Sequence, residues 1–349
     1  MSPNYPLNCW YVLATSDEVQ AELFSRHALG KHVLLYRVGN GTVVAMDDRC
    51  AHRPHALSTG HRDGDKVVCG YHGMTYAPDG TLLEVPSQEN VPPGIRVRTY
   101  PVFEQAPFVW VWLGDPGAAG LRTPPRIPWL TGEHTWASSL DVSRISANYL
   151  LLHEHYLDLT NIFHMHPEAV PPDLQRLPAL DEVKVSERSV SYLRITVPTR
   201  PAPWEKDVTG LAPDARSPRL EEGVFISPGL HVQRYVIDPQ GSRPLTLVRV
   251  QAFTPESSGV THSFTRIARD FTPHNAELTA YLREMFHEMT LRDAELLESM
   301  QVRIEEEYEE LEPRRDLNVK ADRAALRARR IARDMVDEET RYVGRILAP

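Results

Sequence analysis

An α+β fold class, a small antiparallel β domain followed by a mixed sheet-and-helix domain, follows from three features of the 349-residue sequence. The first third alternates short β-prone runs with tight turn signals. A Gly- and Pro-rich stretch, GDPGAAGLRTPPRIPWL, then interrupts the pattern and reads as a linker. In the second half, alternating strands precede one long helical pattern, with Leu278, Tyr281, Leu282, Met285, Phe286 and Met289 at helical spacing.

The elements can be taken in order. HVLLYRV and TVVAMDD flank GNG, and MTYA and TLLEVP flank PDG, so each set reads as a hairpin. FVWVWLGD alternates like a strand and closes about 120 residues of β structure. After the linker, ANYLLLHEHYLDLTNIF predicts one helix, and VKVSERSVSYLRITVPT alternates like strands. Residues 201–228 are rich in Pro and Gly with weak periodicity and are expected to be loop, a candidate entrance lid. LHVQRYVID, PLTLVRVQAFTP and THSFTRIARDF read as three more strands. The long helix runs from Asn275 to about Leu311, and a charged helix, KADRAALRARRIARDMVDEE, follows it. The expected domains are 1–120 and 121–349.

Composition bounds the function. With 42% hydrophobic and 24% charged residues the chain reads as an ordinary globular protein. A net charge of −9 argues against a nucleic-acid or membrane-surface binder. No apolar run approaches the roughly 20 residues of a membrane helix, and MSPNYPLNCWYV has no signal-peptide pattern. Three cysteines, Cys9, Cys50 and Cys69, do not suggest a disulfide scaffold; reduced thiols in a cytoplasmic protein are expected.

Chemistry concentrates in two places. The first is CAH, with Cys50 and His52, and CGYH, with Cys69 and His72, separated by residues 53–68. Two Cys and two His could bind zinc or a [2Fe–2S] cluster in which two His replace two Cys on one iron. The order decides between them: each short pair mixes one Cys with one His, so two facing loops can give both Cys to one iron and both His to the other. Cys9 reads as a packed thiol, and His55 and His61 as surface or structural residues. DRCAHRPHALSTG, VVCGYHGMTYAPDG, NCWYV and VWVWLGDP resemble the Rieske domain of bacterial ring-hydroxylating and O-demethylating oxygenases, the vanillate O-demethylase-like and dicamba monooxygenase-like Rieske non-haem iron oxygenases.

The second place is LLLHEHYLDLTNIFHMHPE, with His153, His155, His164 and His166. The resemblance implies a mononuclear Fe(II) held by two His and one carboxylate, with positions left open for O₂ and substrate. The family pattern is Asn-x-x-Asp-x-x-His, a second His after four residues, and an Asp on a late helix. It falls on Asp158, His166 and Asp293, with Glu298 as the later Glu. Asp293 also lies on the apolar stripe of its helix, four residues after Met289, where a lone carboxylate needs compensation. The first His position, however, holds Asn161, and the family's Asn position holds His155: the two residue types are exchanged. On a continuous helix residues 155, 158 and 161 share a broad face, with 155 and 161 about 9 Å apart along the axis. Three readings stand at this point. His155, His166 and Asp293 ligate iron, with Asn161 coordinating weakly or hydrogen-bonding to a ligand; Asn161 supplies its amide oxygen in place of an imidazole; or the site no longer holds iron. The first is the expectation carried forward, with His153 and His164 structural.

The resemblance further implies a helix-grip-like C-terminal domain, a curved antiparallel sheet packed on the long helix. It implies a monooxygenase or demethylase that hydroxylates or O-/N-demethylates a small, aromatic substrate with O₂. Electrons would arrive from a separate flavin and iron–sulfur reductase using NAD(P)H. It implies a ring-shaped homotrimer in which Asp158 links a cluster His, here His72, to the iron-site His of the next subunit. The competing class is a Rieske electron-transfer or ligand-binding protein without a competent mononuclear iron site.

Overall fold

Tight turns set the architecture of the first unit. The computed structural model describes residues 5–125, 127, 136–239, 241–308 and 316–346. It divides into one unit of Leu7–Arg126 and another of Ile127–Pro349 with Met1–Pro6. In the first unit the strands are β1 (Trp10–Thr15), β2 (Phe24–Ala28), β3 (Lys31–Arg37), β4 (Val43–Asp47), β5 (His61–Asp63) and β6 (Lys66–Val68). They are followed by β7 (Thr75–Tyr76), β8 (Leu82–Glu84), β9 (Thr99–Tyr100), β10 (Val102–Gln105) and β11 (Phe108–Trp112). They form three sheets, in the orders β1-β11-β10, β2-β3-β4-β9 and β5-β6-β7-β8. GNG joins β3 to β4, and PDG joins β7 to β8, as the turn signals require. Gly80 of the second turn has φ +83°, and a Cβ there would stand 2.0 Å from the Val97 carbonyl oxygen, so the position admits only glycine. Part of the Gly- and Pro-rich stretch forms a short helix, α1 (Pro116–Ala119), capped by Asp115; its residues 128–130 lie outside the described residues.

The second unit is built on one antiparallel seven-stranded sheet. Its elements are β12 (Ala137–Ile145), α2 (Tyr149–Leu157), α3 (Ile162–Met165), β13 (Glu182–Val185), β14 (Val190–Thr199) and α4 (Pro203–Thr209). Then come β15 (Ser217–Ser227), β16 (Leu230–Ile237), β17 (Leu245–Ser257), β18 (Val260–Arg269), α5 (Ala276–Tyr308) and α6 (Arg323–Ile346). The strand order is β12-β18-β17-β16-β15-β14-β13. Leu282 of α5 is buried with Leu247 and Ile267 of the sheet, and Met285 and Phe286 pack on the same cluster. The described part of the long helix ends at Tyr308; its expected end near Leu311 lies outside the described residues. The charged last helix buries its alanine-rich side, Ala324, Ala325, Ala328 and Ala332, with Ile331 and Met335, and leaves its charges at the surface. No helix among the described residues is long and apolar enough to cross a membrane.

Two sequence expectations fail here. Residues 201–228 are not a loop or a lid: they contain α4 and the eleven-residue strand β15, which pairs on both sides within the sheet. The strand has a regular period of two, but its inward residues include Arg219 and Glu221, so hydrophobicity does not reveal the period. Burial of these charges is possible because each is paired, Arg219 with Glu205 at 2.6 Å and Glu221 with Arg194 at 2.9 Å. The second failure is the single helix expected over residues 147–163, which breaks into α2 and α3.

Glu205 is fully buried and accepts hydrogen bonds from Arg219, from Tyr235 Oη at 2.7 Å and from the Ala202 amide at 2.8 Å. Glu205→Ala leaves the Arg219 guanidinium buried without its counter-charge, and urea unfolding should show a loss of about 3–5 kcal/mol. A loss below about 1 kcal/mol would mean that the pair does not hold the sheet as described.

Candidate metal centres

Each Cys–His pair of the first unit sits in a loop leaving a strand, the first after β4 and the second after β6. The loops fold back on themselves: the Cys50 amide donates to the His55 carbonyl and the Cys69 amide to the Met74 carbonyl, both at 2.9 Å. They also run close together. A Cβ on Gly60 would stand 2.0 Å from the Val68 carbonyl oxygen and 3.0 Å from the Gly70 nitrogen. This approach brings the four side chains together in two layers. Cys50 and Cys69 are buried, at 2% exposure each, while His52 and His72 lie at the surface with ring centroids 4.8 Å apart. The Tyr76 hydroxyl lies 3.1 Å from Cys50 Sγ. Burial alone would push the Cys50 thiol up, but the Tyr76 hydroxyl and the backbone N–H groups of His52 and Arg53 bring it below its ordinary value. Soft donors inside and imidazoles outside are the donor set and layering that suit a [2Fe–2S] cluster with one all-thiolate and one imidazole-bound iron.

The second site is assembled by α2, α3 and α5. Asn148 caps α2 through its side chain, which accepts from the Leu150 amide at 2.8 Å. From α5, Glu298 and Gln301 accept the Ser146 and Asn148 amides at 2.8 and 2.9 Å, fixing where α2 begins. α2 stops at Leu157 because Asp158 turns extended, φ −125° and ψ 104°, and its carboxylate binds the Thr160 amide and hydroxyl at 2.9 and 3.1 Å. This local bond competes with the helix for the backbone. α3 then ends before His166, the residue preceding Pro167, where proline disfavours a helical backbone. The break removes the separation of about 9 Å that a continuous helix would impose between His155 and Asn161. Instead, His155 Nδ1 and Asn161 Nδ2 lie 3.4 Å apart.

Asp293 of α5 lies at the centre. Its Oδ1 is 2.7 Å from His166 Nε2 and 3.1 Å from His155 Nε2, and its Oδ2 accepts from the Tyr156 hydroxyl at 3.1 Å. Among the described residues no set of His, Cys, Asp and Glu stands apart as a ready-made ion cage. The donors touch one another instead, at the spacing of about 3 Å that adjacent ligands about 2.1 Å from an octahedral metal would keep. Asp293 is 2% exposed. Burial alone would raise its carboxyl, but the two imidazoles and the Arg249 guanidinium hold it below the usual carboxylate range. Burial pushes Tyr156 up to about 12, so it remains a neutral donor at pH 7. The triad opens on a cavity of about 150 Å³ whose walls include Leu159, Ile162, Val170, Met285, Phe286 and Met289.

Comparison with known proteins gives this geometry its context. The Rieske [2Fe–2S] domain model matches residues 9–101, and the vanillate O-demethylase oxygenase C-terminal domain model matches residues 145–338, more than half of the chain. The chain belongs to the Rieske non-haem iron oxygenases. The iron–sulfur subunit of the toluene-4-sulfonate monooxygenase system of Comamonas testosteroni is 40% identical over 167 residues, 48% of each chain. The chain thus spans about half the length of the first curated relatives it matches. The vanillate O-demethylase oxygenase subunit of Pseudomonas sp. (strain HR199 / DSM 7063) is 29% identical over 85% of this chain and 86% of its own. A crystal structure of dicamba monooxygenase bound to 3,6-dichlorosalicylic acid matches in fold, with TM-score 0.88 and 23% identity over 95% of this chain and 98% of that one. The cofactors of this class are a Rieske cluster and a mononuclear non-haem iron, and the two donor sets fit them.

The structure brings together His155, Asn161, His166 and Asp293, and separately Cys50, His52, Cys69 and His72. Asp158 is not joined to the triad; both of its carboxylate oxygens serve Thr160. His153 is fully buried with Nε2 2.9 Å from the Pro228 carbonyl, and His164 is exposed. Sequence reasoning missed Tyr156, Gln233 and Arg249. Gln233 of β16 donates to the Tyr156 carbonyl at 2.9 Å and pairs in register with Arg249 of β17. The available signal was an arginine as the one charged residue in the mostly apolar run LTLVRVQAF.

The Tyr76 hydroxyl next to Cys50 Sγ gives a test of the first centre. Hydrogen bonds to cluster sulfur favour the reduced, more negative state. Tyr76→Phe should therefore lower the cluster midpoint in a redox titration, by about 40 mV for a bond of about 1 kcal/mol in a one-electron couple. An unchanged or higher midpoint would remove Tyr76 from the cluster's surroundings.

Proposed function

We propose that this protein is the terminal oxygenase of a multicomponent system that O- or N-demethylates, or hydroxylates, a small aromatic substrate. The observation that carries the reading is the meeting of His155, His166 and Asp293 at the wall of an apolar cavity. Cys50, His52, Cys69 and His72 hold the cluster, and His155, His166 and Asp293 hold the iron. When bound, the iron supplies open positions for O₂ activation with electrons delivered through the cluster. The apolar wall holds an aromatic ring and excludes water. For a methoxy substrate the reaction balances as O₂, two electrons and two protons consumed, with the phenol, formaldehyde and water released. Names of relatives support the substrate class, since they include oxygenase components acting on vanillate and dicamba. The electrons come from a separate reductase, and one relative is the oxidoreductase NdmD of Pseudomonas putida.

The exchanged residues have defined roles in this reading. A His155 Nε2 that binds metal must carry its proton on Nδ1. Asn161 faces Nδ1 at 3.4 Å, and turning its amide offers Oδ1 as the acceptor. Asn161 therefore orients the imidazole instead of replacing it. On the other side of α2, Glu154 is ion-paired with Arg329 of α6, which holds the helix that carries His155. In a trimer, Asp158 would join His72 of one subunit to the iron site of the next; Asp158→Asn should keep both metals and slow reoxidation of the cluster in single turnover.

Iron content decides between the ligand assignments. The unmodified protein should bind about three Fe per chain, two in the cluster and one in the second site. His155→Ala should lose the third iron, and Asn161→Ala should largely keep it while losing part of its turnover. Loss in Asn161→Ala with retention in His155→Ala would make the amide the ligand. A wild-type protein that never exceeds two Fe would end the oxygenase reading in favour of electron transfer.

A further inference from the structure

We infer that Arg249 is an anion anchor in the cavity, so that the substrate is an aromatic acid, a carboxylate or a sulfonate. The inference rests on the oxygenase reading above for the word substrate, but its evidence is separate. Arg249 lies in β17, an interior strand of the seven-stranded sheet, is 7% exposed and lines the cavity next to the triad. Two other guanidiniums line this cavity, and each has a carboxylate: Arg219 has Glu205 at 2.6 Å and Arg234 has Glu222 at 3.0 Å. Arg249 has none within ion-pair distance among the described residues.

Its recorded hydrogen bonds both leave from Nη2, to the Tyr156 hydroxyl at 3.0 Å and to Thr290 Oγ1 at 3.1 Å. Its buried Nε has no acceptor. A guanidinium carries five N–H donors, so most of its donor capacity is unspent. The cation lies 4.3 Å from the Tyr156 ring centroid and 5.6 Å from that of Phe286. Such contacts offset only part of the cost of taking an ion out of water. Asp293 attracts the guanidinium only across the Tyr156 hydroxyl and gives it no hydrogen bond, because its oxygens are already taken by two imidazoles and by Tyr156. The remaining partner is a ligand anion, which a planar guanidinium binds in bidentate fashion.

The position also orients the ligand. Arg249 is linked to Asp293 through a single hydroxyl, that of Tyr156. An acid group on the guanidinium thus keeps the aromatic ring within the cavity, beside the triad and among Phe286, Met285 and Met289.

The test is equilibrium binding to the iron-replete protein without reductase. The probes are 4-methylbenzoate, toluene-4-sulfonate and the neutral 4-methylbenzamide, followed by calorimetry. At least one acid should bind tenfold or more tightly than the amide, and the arm that does so separates carboxylate from sulfonate. Arg249→Met should bring the ratio to within about threefold. Arg249→Lys, which keeps the charge, should retain a reduced preference, so the assignment remains testable if the methionine variant does not fold. Arg234→Gln should leave the ratio unchanged. Equal affinity for acid and amide in the unmodified protein, no saturation by either acid, a ratio that survives Arg249→Met, or its loss in Arg234→Gln would each overturn the inference. A protein that shows the ratio but holds only two Fe per chain would instead sink the oxygenase reading and leave the anion site standing.

Discussion

Asp293 puts a carboxylate inside the C-terminal unit, 2% exposed, on the side of α5 that faces the sheet. A charge there is tolerable only if it is surrounded by donors, and much of the local structure provides them. His166 and His155 reach Oδ1, Tyr156 reaches Oδ2, and Arg249 stands behind Tyr156. The donors come from three parts of the chain. His155 and Tyr156 come from α2, His166 from the end of α3 and Arg249 from β17. The same arrangement would suit an ion, which His155, His166 and Asp293 would hold in place of their contacts with one another.

The exchange of His and Asn is accommodated by the turn at Asp158. Had α2 continued, residues 155 and 161 would be more than a turn apart, and the substitution of one for the other would displace the imidazole along the helix axis. The Asp158 carboxylate instead captures Thr160 and reverses the chain, so residues 155 and 161 meet beside Asp293. The two positions stand side by side, with the His155 imidazole on the carboxylate and the Asn161 amide against the ring. The geometry makes the swap conservative in space although it is not conservative in the sequence motif.

What the sequence made legible depended on whether the governing interaction was local. The Cys–His pairs lie in tight loops whose turn residues are adjacent in the chain, so spacing alone indicated the donor set. Asp293 could be singled out because helical periodicity placed it on the stripe of Phe286 and Met289. The helix expected over 147–163 breaks although Leu159, Ile162 and Phe163 continue its apolar pattern, because the Asp158 side chain ends α2 by a bond to Thr160. β15 was misread because its inward face carries Arg219 and Glu221, whose compensation by Glu205 and Arg194 comes from neighbouring elements. Arg249 escaped for the same reason: a charge in a strand has a meaning only once its partners, or their absence, are known.

Anomalous diffraction from a crystal of the iron-replete protein tests the central claim most directly. The account predicts a second iron peak, distinct from the cluster, about 2.1 Å from His155 Nε2, from His166 Nε2 and from an Asp293 oxygen, with Asn161 bonded to His155 Nδ1. A peak bound by the Asn161 amide oxygen, with the His155 ring turned away beyond bonding distance, would contradict it.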